Sequence, residues 1–559
     1  MKTKSFIFSI LLLSVSGFFY SCDGLLNTSS TLVIFSEDHT LDQAADSVYS
    51  VMGIIYKMQR IADRTVLIGE IKGDLVDVTP EASVDLQQLA NFNVKSGNSY
   101  NTPSDYYAVI NNCNYFLANV DTSIEKRNVP VFMKEYAAVK AFRAWTYLQL
   151  AKAYGTVPFV TKPILTEAMA NKTYPLYDVS AMCSFFIEDL TPYLNMEYPG
   201  YGAINGLDSK KFFIPIRALL GDFCLWADRY TDAAHYYHDY LTQEGKEIVT
   251  GNSKVSWQNS ESFLKWDDGF SSQFSSMENS EIITYIPMEE SAANGVYSGL
   301  KDVFNSTTNN NYYFQATPSP YLYELSKSQS NCIIYQGLAY RDTLYAPVTN
   351  ENHPMWVGDL RLAATFNNQI VNQSKKSDFS SNIQTISKFS TRHVVLYRRS
   401  QIYLHFAEAL NRAGYPISAF TILKYGLQPS NITRYIPKNE RDSSQNLLTF
   451  NQYAFTAENT LGIHGRGCGD VQGNVHYTIP SLPHLADTVL YVENLICDEN
   501  ALETAYEGNR FFDLLRMAKR RNDASWMANK IANRKGSTKY DATLFDLVKK
   551  PENWYLPLN

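Results

Sequence analysis

Three glutamates, Glu499, Glu503 and Glu507, recur at four-residue spacing in a stretch that reads as helix, so their carboxylates share one face. Neighbouring carboxylates can run glycoside hydrolysis or hold a hard cation, but either task needs partners from other elements, and the chain names none. Arg510, Asp513 and Arg516 continue the stretch at three-residue steps. An alternating, partly paired charge ladder is therefore the simpler expectation. A second candidate is Gly462–Asp470, GIHGRGCGD, where Cys468 near His464 could form a thiolate pair. Its glycines favour a tight turn instead, with Arg466 donating to backbone carbonyls. No GxSxG, HExxH, P-loop or strand-following GxGxxG is present, and none of the nine histidines forms a helical metal-ligand pair. The sequence predicts no catalytic residue, no metal ligands and no cofactor.

These residues sit in a chain of 559 with 45% hydrophobic and 19% charged residues, a globular composition. The net charge of -7 argues against a general nucleic-acid binder. Tyrosine is abundant, 39 against 7 Trp, and offers both an apolar face and a hydroxyl. At the start, Lys2 and Lys4 precede the apolar run Phe6–Phe19, which is shorter than the roughly 20 residues a membrane span needs. The run ends at Tyr20–Gly24, YSCDG, which resembles a bacterial lipobox, so cleavage would leave a lipidated Cys22 as N-terminus. The alternative is an ordinary secretory signal with an incidental cysteine. The other six cysteines have no CxxC spacing, and Cys113, Cys224 and Cys497 fall inside apolar helical patterns. They are expected to be small buried hydrophobes rather than disulfides.

Helical periodicity dominates both ends of the chain. One pattern starts with Thr40 as N-cap and runs to Ile61; another places Tyr106, Ile110, Cys113, Leu117 and Val120 on one face. Ala138, Phe142, Trp145, Leu148 and Ala151 do the same before Gly155, a helix stop, and Pro158. Ile214–Leu241 reads as two helices broken near Asp228–Tyr230, with the Ala/aromatic cadence of a tetratricopeptide pair. Val395–Gly414 and Glu499–Arg521 complete the set. Residues 250–390 are rich in Ser, Asn, Tyr and Pro, with short strand-like runs such as Glu281–Pro287. The expected fold is mainly α: tetratricopeptide-like helix pairs forming a curved scaffold, with a loop-rich irregular part and a few short strands. Within Tyr506–Arg521, YEGNRFFDLLRMAKRR, Phe511, Leu514, Leu515 and Ala518 share a face that suits core packing, and the basic residues are expected on a solvated side.

Three stretches in order resemble signatures of the SusD/RagB family of outer-membrane nutrient-binding lipoproteins. Arg143–Ala144, Tyr147, Tyr154–Gly155 and Pro158 match the first; Tyr403, Leu404 and Ala407–Ala409 the second; Glu507, Gly508, Arg510, Asp513 and Leu514 the third. The closing ENWYLPLN is similar to the family's end. The resemblance covers nearly the whole chain and thins between about residues 250 and 390. It implies a lipid-anchored protein on the outer membrane, facing the cell exterior. Its role would be to capture oligosaccharides without catalysis and deliver them to a SusC-like TonB-dependent transporter. Peptide capture by the same architecture is the alternative, and a glycosidase on the Glu499/Glu503/Glu507 row is a further one. The implied organisation is a signal peptide over 1–21, an N-terminal helical region over 22–250, a loop-rich insert with the ligand surface over 251–390, and a C-terminal region over 391–559 packing on the same domain.

The matched motifs are scaffold motifs, so ligand contacts must come from loops. Sugar recognition asks for aromatic faces together with amides or carboxylates. Asn91–Asn101 supplies Phe92, Asn98 and Tyr100; Lys265–Phe270 supplies Trp266 and Asp268; Asn305–Gln315 supplies Asn311, Tyr312 and Tyr313. The competing expectation for each is a polar surface loop whose aromatic packs on the body. The Asp267–Asp268 pair would suit calcium by its hard oxygens, but the sequence offers no ligand set around it.

Overall fold

The structure is a computed structural model that describes residues 44–80, 82–243, 255–260, 263–304, 315–329, 331–336, 341–346, 358–366, 386–451, 453, 455, 462–467 and 476–558. Cys22, Thr40, Asn311, Tyr312, Tyr313 and Cys468 lie outside them. Helix α1 (Ala44–Ile71) buries Val51, Ile54, Ile55, Met58, Ile61, Ala62, Val66 and Ile68, a stripe at three- and four-residue steps. It leads through β1 (Val76–Val78) to the short α2 (Val84–Ala90), whose first turn is capped by the Ser83 hydroxyl accepting from Leu86 N–H.

The helix pairs follow. α3 (Pro103–Asn119) buries Tyr106, Ile110 and Cys113 as the periodicity predicts, and packs on α4 (Met133–Tyr154). Gly155 ends α4 with a φ of +78°, where a side chain would also meet the Tyr555 ring. α5 (Val179–Leu190), α6 (Ile216–Trp226) and α7 (Tyr230–Gln243) stack in succession. The break between α6 and α7 falls at Asp228, in the left-handed region at φ +58°. At Gly221 a Cβ would lie 2.5 Å from the Tyr237 ring, so the missing side chain is what allows α6 and α7 to approach. This is the close packing that the tetratricopeptide cadence predicts.

The middle of the chain contributes two-stranded antiparallel pairings, beside one isolated parallel bridge between Glu289 and Tyr297, among the described residues. They use β2 (Val255–Ser260), β3 (Phe263–Asp268), β4 (Ile282–Ile286), β5 (Ala316–Pro318), β6 (Asn331–Gln336), β7 (Arg341–Ala346) and β8 (Val394–Arg398). β2–β3 and β6–β7 are hairpins, whereas β1 pairs with β5 and β4 with β8 across long sequence gaps. α8 (Pro320–Ser328) and α9 (Arg361–Phe366) lie between them. The C-terminal region adds α10 (Arg399–Arg412), α11 (Pro416–Lys424), α12 (Leu485–Thr504), α13 (Arg510–Arg521), α14 (Ala524–Ala532) and α15 (Ala542–Val548). α10 packs on α7, α11 and α12, and α13 packs back on α1, so first and last helices share one core. Cys113, Cys183, Cys224 and Cys497 are buried free thiols inside it.

Candidate functional site

The glutamate row does not lie on one helix. α12 stops at Thr504, and Tyr506 and Gly508 take φ values of +70° and +88°, so Glu507 sits in a turn ahead of α13. Glu503 is fully buried and serves three guanidiniums: Oε1 accepts from Arg398 and Arg466 at 2.7 Å each, and Oε2 from Arg361 at 2.8 Å. Arg466 also forks onto Glu281 at 3.0 and 3.1 Å. It therefore binds carboxylates, not the backbone carbonyls expected from its turn. Arg398 and Lys388 reach Glu507, and His464 Nδ1 lies 2.9 Å from Glu499. Burial works to raise the Glu503 pKa, but Arg466, Arg398 and Arg361 outweigh it and hold the carboxyl well below its ordinary range. A carboxylate so enclosed, and so firmly ionised, is suited neither to donating a proton nor to meeting a substrate.

The expected solvated charge ladder is also corrected. Arg510, Asp513 and Arg516 are buried. Arg510 forks onto Asp74 at the end of α1 at 2.5 and 2.8 Å, rather than onto Glu507. Arg516 forks onto Glu408 at 3.0 and 2.6 Å and keeps its contact with Asp513 at 2.9 Å. The apolar face through Phe511, Leu514, Leu515 and Ala518 is core, as expected. Only the end of α13 is open: Lys519 and Arg520 are exposed.

In the Asn91–Asn101 loop, Asn98 is 3% exposed. Its amide donates to Asp85 O (3.1 Å) and Gln88 Oε1 (3.0 Å), and its Oδ1 accepts from Tyr100 N–H (2.9 Å). Asn98 thus braces the loop internally, with both amide hydrogens engaged by Asp85 and Gln88. Phe92 is half-buried in the left-handed region at φ +52°, tilted on Phe511 at 5.7 Å, with Lys72 Nζ 4.8 Å from its ring. Burial pushes that ammonium down to about 7. Tyr100 is half-buried, its phenol pushed up to about 12 by burial and then by Asp63 and Asp85. Trp266 and Asp268 lie on β3, in register with Trp257 and Val255 of β2.

A cavity that sequence reasoning did not locate adjoins the Asn91–Asn101 loop at Asn91. β1 pairs with β5, Thr79 N–H donates to Gln315 O at 3.0 Å, and Ser83 N–H donates to Gln315 Oε1 at 3.1 Å. The end of the Asn305–Gln315 segment is thereby brought beside α2, which opens into the Asn91–Asn101 loop. The adjoining cavity has a volume of about 460 Å³ and is lined by Asp77, Thr79, Gln87, Asn91, Pro320, Arg534, Lys535 and Lys539. That volume falls in the range of small-molecule sites. The one signal for it in the sequence was the basic NRKGSTKYD link, Asn533–Asp541, between α14 and α15. A second cleft of about 360 Å³ opens on α1 at Tyr56 and Gln59, opposite Glu289 and Glu290. Its lining includes no residue of the three loops named above. Among the described residues no group of three or more His, Cys, Asp or Glu could hold a metal ion, and no helix is long and apolar enough to cross a membrane.

Stacked helix pairs, with short strand pairings and irregular segments between them, define a mainly helical scaffold. No family model matches the sequence, and no curated protein matches it. Solved structures do match. A SusD superfamily protein from Bacteroides thetaiotaomicron is 16% identical, with 92% of this chain and 96% of that one aligned at a TM-score of 0.57. A SusD superfamily protein from Bacteroides vulgatus is 13% identical over 91% and 92% of the two chains, at 0.56. A SusD-like carbohydrate binding protein from Bacteroides fragilis is 16% identical over 92% and 97%, at 0.57. The fold of this chain is the SusD fold.

Proposed function

We propose that this protein is a SusD/RagB-type binding protein that captures oligosaccharides without chemistry, at the loop face, for delivery to a SusC-like TonB-dependent transporter. The observation that carries the reading is the cavity of about 460 Å³ between β1, α2 and Asn91, beside the segment that Gln315 ties to Ser83. The likeness in fold to a SusD-like carbohydrate binding protein supports it. Trp266, Asp268, Asn311, Tyr312 and Tyr313 remain proposed ligand residues, together with Phe92 and Tyr100, which are half-buried in the Asn91–Asn101 loop.

Calorimetry of the mature chain against plant and host oligosaccharides and a matched set of peptides is expected to detect saccharide binding. Trp266→Ala and Tyr312→Ala should each weaken it by about tenfold, the order of one lost aromatic stacking contact. Selective binding of peptides would replace the saccharide reading with peptide capture. Unchanged affinity in both variants would remove those two residues from the site.

The anchor is proposed at Cys22, from its place at the end of an apolar signal-like run. Cys22→Ser is expected to abolish incorporation of labelled fatty acid and to shift the protein from the membrane fraction, where it should co-purify with a barrel transporter, to the soluble one. Persistent labelling in Cys22→Ser would place the lipid elsewhere.

A further inference from the structure

We propose that the saccharide taken by this cavity is acidic, its carboxylate or sulfate group received by Arg534 together with Lys535 and Lys539. The inference rests on the saccharide reading above and adds the charge of the ligand to it. Its main support is Arg534, which lines the cavity yet is only 3% exposed. Its Nη1 donates to Ile71 O at 3.0 Å and its Nη2 to Ala90 O at 3.2 Å, both neutral carbonyls. Its Nε is buried and has no hydrogen-bond partner among the described residues.

Buried guanidiniums elsewhere in this protein are treated differently. Arg361, Arg398, Arg466, Arg510 and Arg516 each meet a carboxylate at 2.5 to 2.7 Å. Arg534 forms no ion pair among the described residues. Asp77, Asp541 and Asp74 act on it without an ion-pair contact, Asp77 the most strongly; Asp74 is held by Arg510, and Asp541 caps α15 by accepting from Leu544 N–H at 2.9 Å. A buried charge without a partner is costly, and an incoming carboxylate or sulfate would supply the charge-assisted partner it lacks. Burial lowers the pKa of Arg534 with Asp77, Asp541 and Asp74 opposing, in line with that unmet charge.

The rim reinforces the sign. Lys535 and Lys539 are exposed at the cavity mouth and have no carboxylate within ion-pair distance among the described residues. Asp77 is the acidic residue of the lining, so three cations face one carboxylate. Asn91 adds an amide at the same wall, suited to sugar hydroxyls, whereas the Gln87 amide already donates to Ala82 O at 2.9 Å. A net positive pocket fits a uronate or a sulfated sugar better than a neutral one.

The test titrates the mature chain with trigalacturonate, its neutral methyl ester, a sulfated galactan oligosaccharide and its desulfated form. At least one acidic ligand should bind about tenfold or more tightly than its neutral counterpart, the order of one charge-assisted contact, and the gap should shrink with added salt. The arm that shows the gap distinguishes carboxylate from sulfate. Lys535→Ala/Lys539→Ala, confined to exposed side chains, should narrow the gap while leaving the unfolding midpoint unchanged; Arg534→Met should narrow it further if it folds. Equal affinity for acidic and neutral forms, or a gap indifferent to the double lysine variant, overturns the charge inference and leaves saccharide capture standing. If no saccharide binds at all while peptides do, the functional reading fails, and this inference with it.

Discussion

Glu503→Gln is expected to destabilise the protein by roughly 3–5 kcal/mol, the usual result of removing one member of a buried ionic cluster. The amide has the same shape, but it withdraws the counter-charge shared by Arg361, Arg398 and Arg466 and turns an N–H2 group toward guanidiniums that can only donate. Three buried cations are then left with Glu281, Asp359, Glu499 and Glu507 alone. Because total stabilities are of the order of 5–15 kcal/mol, the loss should show as a large fall in the urea midpoint and reduced soluble yield. The pH dependence has a defined sign. The folded pKa of Glu503 is depressed, so its stabilisation is fully present above the ordinary glutamate value of 4.5 and is lost as pH falls through the folded pKa. The variant should lack that acid-side component. A midpoint within about 1 kcal/mol of wild type would show that the cluster contributes specificity rather than stability. The same measurement bears on the glycosidase alternative: a structural Glu503 loses the fold, whereas a catalytic one would lose turnover with the fold intact.

Local patterns in the sequence carried the helices because burial at three- and four-residue steps leaves a local trace. Tyr106, Ile110 and Cys113 on α3, the Gly155 stop and the α6–α7 break at Asp228 all follow from neighbours a few positions apart. The charge partners left no such trace. Arg510 and Asp74 are 436 positions apart, so Arg510 was matched to Glu507 at local spacing, and the positive φ at Tyr506 and Gly508 then breaks that spacing. The motif residues Tyr147, Glu408, Arg510 and Asp513 are buried parts of the scaffold, so motifs strong enough to suggest a fold say nothing of its ligand. The site was less legible for the same reason. Asn98 has the right chemistry for a sugar hydroxyl, but its amide is consumed by Asp85 and Gln88, whose positions depend on how α2 turns into the loop. Arg534 bonds to the ends of α1 and α2 from more than 440 positions away, and nothing within the Asn533–Asp541 link indicates that one of its cations is buried and two are not.

Gly69→Ala should cost about 3 kcal/mol or more, although alanine is the better helix former. Gly69 lies in the last turns of α1 against the turn that separates α12 from α13. A methyl group there would fall 1.8 Å from the Gly508 carbonyl oxygen and 2.5 Å from its carbon, both backbone atoms that no rotamer change can move. A Cβ at Gly508 would in turn lie 2.3 Å from Thr65 O and 2.7 Å from Val66 Cα, so the turn is seated directly on the α1 backbone. Glu70 also ties the two segments together, accepting Tyr506 N–H at 3.0 Å and Gly508 N–H at 2.8 Å. Burial pushes the Glu70 carboxyl up to about 7 against the pull of those donors, so separating the segments would leave both the carboxyl and the N–H groups unmet in the core. Gly53→Ala supplies the comparison within the same helix: nothing lies within 4 Å of a Cβ there, and the substitution should stabilise by about 0.5–1 kcal/mol. Urea unfolding of the two variants should therefore move in opposite directions from wild type. A Gly69→Ala midpoint at or above wild type would mean that α1 and the Gly508 turn are not in contact, and with that the joining of the first and last helices into one core would fail.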